Sequence, residues 1–188
     1  MERILQITHN RREENMNRAI FLDRDGVINE VLSDRVKFVN TPDDFYLLEG
    51  VGEAIHQLNE ANYQVFVVTN QGGIGLGYMT TKSLENIHAK MYEDLDTFDA
   101  KIDDLEFCPH KPDAGCSCRK PHPGMIIQLA KKHNIDVSKS YMVGDRKPDI
   151  LAGQYAGTKT ILVGKRQEDI EADYTFEDLL AFSNWFIK

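Results

Sequence analysis

A chain of 188 residues can bury one sizeable core, and 41% apolar content is ordinary for a globular protein. A formal net charge of −8 argues against a nucleic-acid partner, whose phosphates seek positive surface, but leaves room for a small phosphorylated ligand in a local positive pocket. No apolar run approaches the roughly 20 residues of a membrane span.

Residues 1–16 lack the apolar core and small-residue cleavage site of a secretory signal, and are read as an N-terminal extension to a single domain over 17–188. Arg18–Leu22 (RAIFL) reads as a buried strand running into Asp23-Arg24-Asp25-Gly26. Val51–Asn62 has helical apolar spacing at Val51, Ala54, Ile55 and Leu58. Gln64–Val68 is a second buried strand, followed by Thr69-Asn70-Gln71-Gly72-Gly73. Thr81–Leu95 reads as a helix with Leu84, Ile87, His88, Met91 and Leu95 on one face. A short strand over Asp104–Phe107 enters a cysteine-rich segment, and Pro123–His133 reads as a helix with proline in its first turn. Ser140–Val143 is a strand ending in Gly144-Asp145, Pro148–Ala156 a helix, Thr160–Val163 a strand and Glu177–Phe186 a closing helix.

Near-continuous apolar strands alternating with helices predict an α/β fold, a doubly wound parallel sheet covered on both faces. Such sheets bind ligands at the carboxyl ends of their strands. Polar residues follow three strands there: Asp23 and Asp25, Thr69 and Asn70, and Asp145.

Two carboxylates at i and i+2 can share the crevice if the chain turns, and Gly26 makes the turn easy. Like charges so close call for a cation. Taken alone, DRDG fits a solvated turn equally well. TNQGGIG taken alone is better explained as a glycine-rich βα turn, although Thr69 and the turn's N–H groups suit phosphate oxygens. Asp145 adds a third carboxylate, and Mg²⁺ favours such oxygen ligands. Lys120 offers a fixed positive charge, although most lysines simply lie on the surface.

In this order, hydrophobic-strand-DRDG, hydrophobic-strand-TNQ, RKP and hydrophobic-strand-GD resemble the haloacid dehalogenase superfamily of phosphohydrolases, over about Ala19 to Val163. The resemblance implies Asp23 as nucleophile, forming an aspartyl-phosphate, and Asp25 as the acid that protonates the leaving oxygen and then activates water. It implies Mg²⁺ held by Asp23, the backbone carbonyl of Asp25, and Asp145. Thr69, Asn70 and Lys120 would stabilise the transferring phosphoryl group. For Asp149, orienting the metal's waters and simply favouring a helix N-terminus are equally good readings.

Only three cysteines occur, Cys108, Cys116 and Cys118. An odd, clustered set is no disulfide framework and suits a reducing, cytoplasmic compartment. With His110 they form CxH-x5-CxC, which matches a closed, structural Zn²⁺ site. The alternative is unpaired cysteines beside a chance histidine.

The segment CPHKPDAGCSCRKPHPGM resembles D-glycero-D-manno-heptose-1,7-bisphosphate 7-phosphatases and their relatives, the histidinol-phosphate phosphatases. RKPHPGM and TNQGGIG look more like the heptose enzymes. That likeness implies substrate contacts at Asn70, Gln71, Gly72, Arg119 and Arg146. Two departures bear on the sugar: Lys37-Phe38-Val39 replaces a Gly-Tyr-Val stretch, and Asp145-Arg146-Lys147 is unusually basic. Neither interval between motifs has room for a separate cap domain, so an open site walled by Val31–Phe45 and the cysteine loop is expected. The expected ligand is a small phosphorylated metabolite, a sugar bisphosphate, acted on by a monomer with no nucleic-acid or membrane partner. The alternatives are a histidinol-phosphate phosphatase, a polynucleotide 3′-phosphatase and a metal-stapled binding module without catalysis.

Overall fold

The computed structural model describes residues 16–164 and 171–188; apart from Met16, the expected extension falls outside them. In chain order the elements are β1 (Ala19–Leu22), α1 (Val51–Glu60), β2 (Gln64–Asn70), α2 (Thr81–Asp96), β3 (Asp104–Cys108), α3 (Gly124–His133), β4 (Tyr141–Gly144), α4 (Lys147–Ala156), β5 (Lys159–Val163), β6 (Tyr174–Phe176) and α5 (Leu179–Phe186). Short 3₁₀ turns at Pro42–Asp44 and Val137–Lys139 were not expected from the sequence.

The strands form one six-stranded sheet in the order β3-β2-β1-β4-β5-β6, parallel throughout. The expected doubly wound α/β architecture is therefore present, with no separate cap domain among the described residues. Side-chain alternation along the strands creates two apolar layers. Ile20, Leu22, Val65, Val67 and Val143 pack with α1, α2 and α5 through Ile55, Leu58, Ile87, Met91 and Phe182. Ala19, Phe21, Phe66, Val68 and Met142 pack with α3 and α4 through Met125, Leu129 and Ala152. Burial on both faces is why these strands read as continuous apolar runs.

β6 escaped the sequence reading because it is a three-residue edge strand with Tyr174 and Thr175 exposed, so it carries no apolar signature. It is anchored by its neighbour, since Asp173 Oδ2 accepts from both the N–H and the hydroxyl of Thr160 at 2.7 Å.

The chain winds from β1 outward to β3, then returns to start again at β4 on the other side of β1. The crevice beyond the carboxyl ends of β1 and β4 is therefore the topological switch point, where open α/β sheets bind ligands. Asp23 and Asp145 stand directly after those two strands.

Candidate active site

The β1–β4 ladder runs one residue past β1: the Asp23 N–H donates to the Val143 carbonyl at 2.9 Å, which fixes the Asp23 backbone over the crevice. The chain then turns tightly, with the N–H groups of Val27, Ile28 and Asn29 all directed at the Arg24 carbonyl. Gly26 sits in this turn at φ +94°, and a Cβ there would stand 2.3 Å from Asp145 Oδ2. Glycine is required both for the backbone and for the approach of Asp145. Across the crevice, a Cβ on Gly144 would overlap the Asp149 Cβ at 2.1 Å, so Gly144 lets α4 bring Asp149 inward.

Lys120 arrives from the loop between β3 and α3 and is 4% exposed. Its ammonium reaches Asp23 Oδ1, Asp149 Oδ1 and the Val68 carbonyl, each at 2.7 Å. Burial opposes that charge, but Asp149 and Asp23 outweigh it and raise the Lys120 pKa. Asp149 also accepts from the Arg146 N–H through Oδ2 at 3.1 Å, so a single side chain caps α4 and holds the lysine. Burial pushes the Asp23 carboxyl up to about 7; the negative charges of Asp149 and Asp25 add to this, and Lys120 opposes it.

Asp25 lies in a cradle of donors. Oδ1 accepts from Arg24 Nε (3.1 Å), Arg24 Nη2 (2.8 Å) and Asn29 Nδ2 (3.0 Å). Oδ2 accepts from Arg24 Nη2 and Gln71 Nε2, both at 3.0 Å. Burial works against its charge, yet the Arg24 guanidinium and the hydrogen bonds from Arg24, Asn29 and Gln71 hold the carboxyl below its usual range. Sequence reasoning missed Arg24, Asn29 and His88, whose Nε2 lies 3.3 Å from Arg24 Nη1. An arginine between two strand-end carboxylates and a histidine on an apolar helix face were the available signals.

The other expected site residues divide by where their groups are committed. Thr69 is buried, with its hydroxyl accepting from Gln71 Nε2 at 2.8 Å. The Gln71 backbone N–H donates to the Cys108 carbonyl at 2.8 Å. Gln71 thus braces Thr69 and Asp25 while bordering the larger of the two cavities described below. Asn70 likewise spends its amide on the Lys120 backbone, donating to the carbonyl and accepting from the N–H at 3.0 Å each. Its side chain clamps the lysine loop, and the residue borders both of the cavities described below. Arg146 is exposed and borders a cavity of about 180 Å³ above Asp23, Asp25, Thr69 and Lys120. A second cavity of about 690 Å³ adjoins it, bordered by Arg119 and Gly72 and by Phe38, Leu76, Tyr78 and Met79. Val31 and Phe38 border both cavities, and Pro112 of the cysteine loop borders the larger, so the two expected walls do enclose the site.

Carboxylate oxygens of Asp23, Asp145 and Asp149 lie within 4.8 Å of one another, and all three residues are buried. Three buried carboxylates beside the single Lys120 ammonium form a donor set that suits a divalent, oxygen-seeking cation. The Asp25 side chain is not in this group, being turned into its own cradle. A second group, Cys108, His110, Cys116 and Cys118, also converges within 4.8 Å, with His110 Nδ1 3.3 Å from Cys118 Sγ and 3.5 Å from Cys108 Sγ. Slight burial opposes it, but the Arg119 N–H, the neighbouring thiols and His110 lower the Cys116 thiol to about 7. Burial and the charges of Cys108 and Cys116 push Cys118 up to about 12. These four residues can hold a metal ion. They tie the end of β3 to the loop that delivers Arg119 and Lys120.

Among proteins of known sequence, the chain is 39% identical over 150 residues to the D-glycero-beta-D-manno-heptose-1,7-bisphosphate 7-phosphatase of Helicobacter pylori, covering 79% of this chain and 84% of that one. The enzyme of that name from Neisseria meningitidis serogroup A is 38% identical over 181 residues, covering 91% and 95%. The chain belongs to this phosphatase family. The HAD-hydrolase-like family model also matches residues 117–181. A crystal structure of D,D-heptose 1,7-bisphosphate phosphatase from B. bronchiseptica, complexed with magnesium and phosphate, superposes with a TM-score of 0.84 at 36% identity, covering 90% of this chain and 98% of that one. Membership of the heptose-bisphosphate phosphatase family agrees with the motif order read from the sequence, and no described helix is long and apolar enough to cross a membrane.

Proposed function

We propose that this chain is a Mg²⁺-dependent phosphatase that removes the 7-phosphate of D-glycero-D-manno-heptose 1,7-bisphosphate through an aspartyl-phosphate on Asp23. The observation that carries the reading is the convergence of Asp23, Lys120, Asp145 and Asp149 at the switch point, under a cavity sized for a phosphoryl group.

In the first step a carboxylate oxygen of Asp23 attacks phosphorus, the bond from phosphorus to the sugar oxygen breaks, and Asp25 gives that oxygen a proton. In the second step Asp25 takes a proton from water, which attacks phosphorus and releases Asp23 and inorganic phosphate. The Arg24 cradle keeps Asp25 anionic, the form needed as base. An anionic phosphoryl group beside it raises its proton affinity, which favours the acid form when substrate is bound. Lys120 and Thr69 face the charge that spreads over the phosphoryl oxygens. Asp23, Asp145 and the Asp25 backbone carbonyl would hold Mg²⁺, with Asp149 beside them. Bound there, the ion supplies charge neutralisation for the phosphoryl group and keeps Asp23 ionised. Arg119 and Arg146, at opposite edges of the paired cavities, suit the remaining phosphate and the sugar. The Cys108, His110, Cys116 and Cys118 set would hold structural Zn²⁺, with no open position for chemistry. Cysteines without disulfides and an acidic net charge suit a cytoplasmic monomer acting on a small metabolite.

Phosphate release with Mg²⁺ from both anomers of the heptose bisphosphate, and from histidinol phosphate, tests the assignment. The heptose esters are expected to have the highest kcat/KM, with Asp23→Asn losing turnover by orders of magnitude while remaining folded. Preferred turnover of histidinol phosphate, or an active Asp23→Asn protein, would overturn it.

A further inference from the structure

The Arg24 guanidinium is 1% exposed, which is rare for an arginine unless its rigid fork of donors is matched. Nε and Nη2 grip Asp25 at 2.8–3.1 Å, and Nη1 points the other way, 3.3 Å from His88 Nε2. We propose that His88 is a positioning residue for the acid/base carboxylate: its imidazole accepts from Arg24 and fixes the plane in which the guanidinium holds Asp25. The proposal rests on the reading of Asp25 as acid and base given above.

A planar guanidinium gripped at one edge can still rock about that edge. An acceptor on the opposite nitrogen removes the motion, and His88 provides it from a different element, α2. His88 is itself immobilised, sharing its buried helix face with Leu84, Ile87 and Met91 and standing edge-on to Phe107 with ring centroids 6.2 Å apart. Accepting from a cation requires an unprotonated Nε2. Burial and the Arg24 charge supply that condition by lowering the imidazole pKa to about 3. The buried face of α2 is thereby linked to the orientation of the group that must deliver a proton to the leaving oxygen, where displacements near 1 Å can cost about 100-fold.

The test uses leaving-group dependence. A sugar alkoxide needs protonation as it departs, whereas the phenolate of p-nitrophenyl phosphate does not. In kcat/KM, which reports phosphoryl transfer to Asp23, His88→Leu is expected to lose about 10–100-fold on the sugar phosphate and under about 3-fold on the aryl ester. His88→Gln places an amide oxygen near the Nε2 position and should recover most of the loss. If His88→Leu does not fold, His88→Met replaces it. Equal losses on the two esters, or a glutamine variant no better than the apolar one, would mean that His88 only packs. Asp25→Asn and Asp23→Asn separate the two levels of the argument. Asp25→Asn should show the leaving-group dependence and Asp23→Asn should be dead on both esters. If either behaves otherwise the phosphatase reading fails, taking this proposal with it. If both behave and His88→Leu loses evenly, the positioning proposal alone fails.

Discussion

Without Mg²⁺, the Asp23 carboxyl is raised from 3.8 to about 7. That shift corresponds to about 4 kcal/mol favouring the protonated form in the folded protein. Because the folded-state pKa lies above the unfolded one, the stabilisation is complete below pH ~4, declines as pH rises, and is gone above pH ~7. Asn at this position is neutral at every pH. Asp23→Asn should therefore exceed the wild type in stability without Mg²⁺ at pH 8 by up to about 4 kcal/mol, with the gap closing toward pH 4. For a chain of this size that is about 10 °C in Tm. Mg²⁺ at 100 times its Kd should restore about 2.7 kcal/mol to the wild type, and much less to the variant, which lacks one ligand charge. The assay is thermal unfolding of both proteins at half-unit steps from pH 4.5 to 8.5, with and without Mg²⁺. Chelators are left out because they would also compete for a metal held by Cys108, His110, Cys116 and Cys118. A wild-type-to-variant gap that does not change with pH, or an equal Mg²⁺ shift in the two proteins, would refute the placement of Asp23 as a desolvated metal ligand.

Gly26→Ala combines a positive-φ backbone with a Cβ driven into Asp145, so a stability loss of about 1–3 kcal/mol in urea unfolding is expected together with weaker Mg²⁺ activation. Asn70→Ala removes the two bonds that clamp the Lys120 peptide. Stability should fall by about 2 kcal/mol, and kcat should fall more than KM rises, in steady-state assays. Cys118→Ser breaks the four-ligand set, so elemental analysis should show zinc falling from about one atom per chain. Because Arg119 and Lys120 follow that loop directly, activity should fall with the metal.

Strand and helix order were legible because each β–α unit buries a continuous apolar strand and an amphipathic helix, and those periodicities survive in one dimension. DRDG, TNQ and GD were legible too, since a parallel sheet puts every strand's carboxyl end on one edge and each of these short motifs stands at the end of a strand, while RKP follows the cysteine loop after β3. The CxH-x5-CxC set was legible for the same local reason: its four potential ligands lie within eleven residues of one another. β6 was not legible, because an exposed three-residue edge strand is defined by its neighbour's hydrogen bonds and not by its own residues.

What the sequence by itself determined, then, was which residues could do chemistry and on which edge of the sheet they would meet. Only the tertiary structure decided how those groups are shared. Gln71 and Asn70 border the cavity from a glycine-rich turn, and only the folded chain shows that one also braces Asp25 and the other clamps a loop fifty residues away. Asp149 looks like a helix acid and is a partner of Lys120. Arg24 and His88 are 64 residues apart and meet in the core. Hydrogen bonds and charge pairs saturate at short range, so which donor meets which acceptor depends on packing between distant elements. No local pattern encodes that choice.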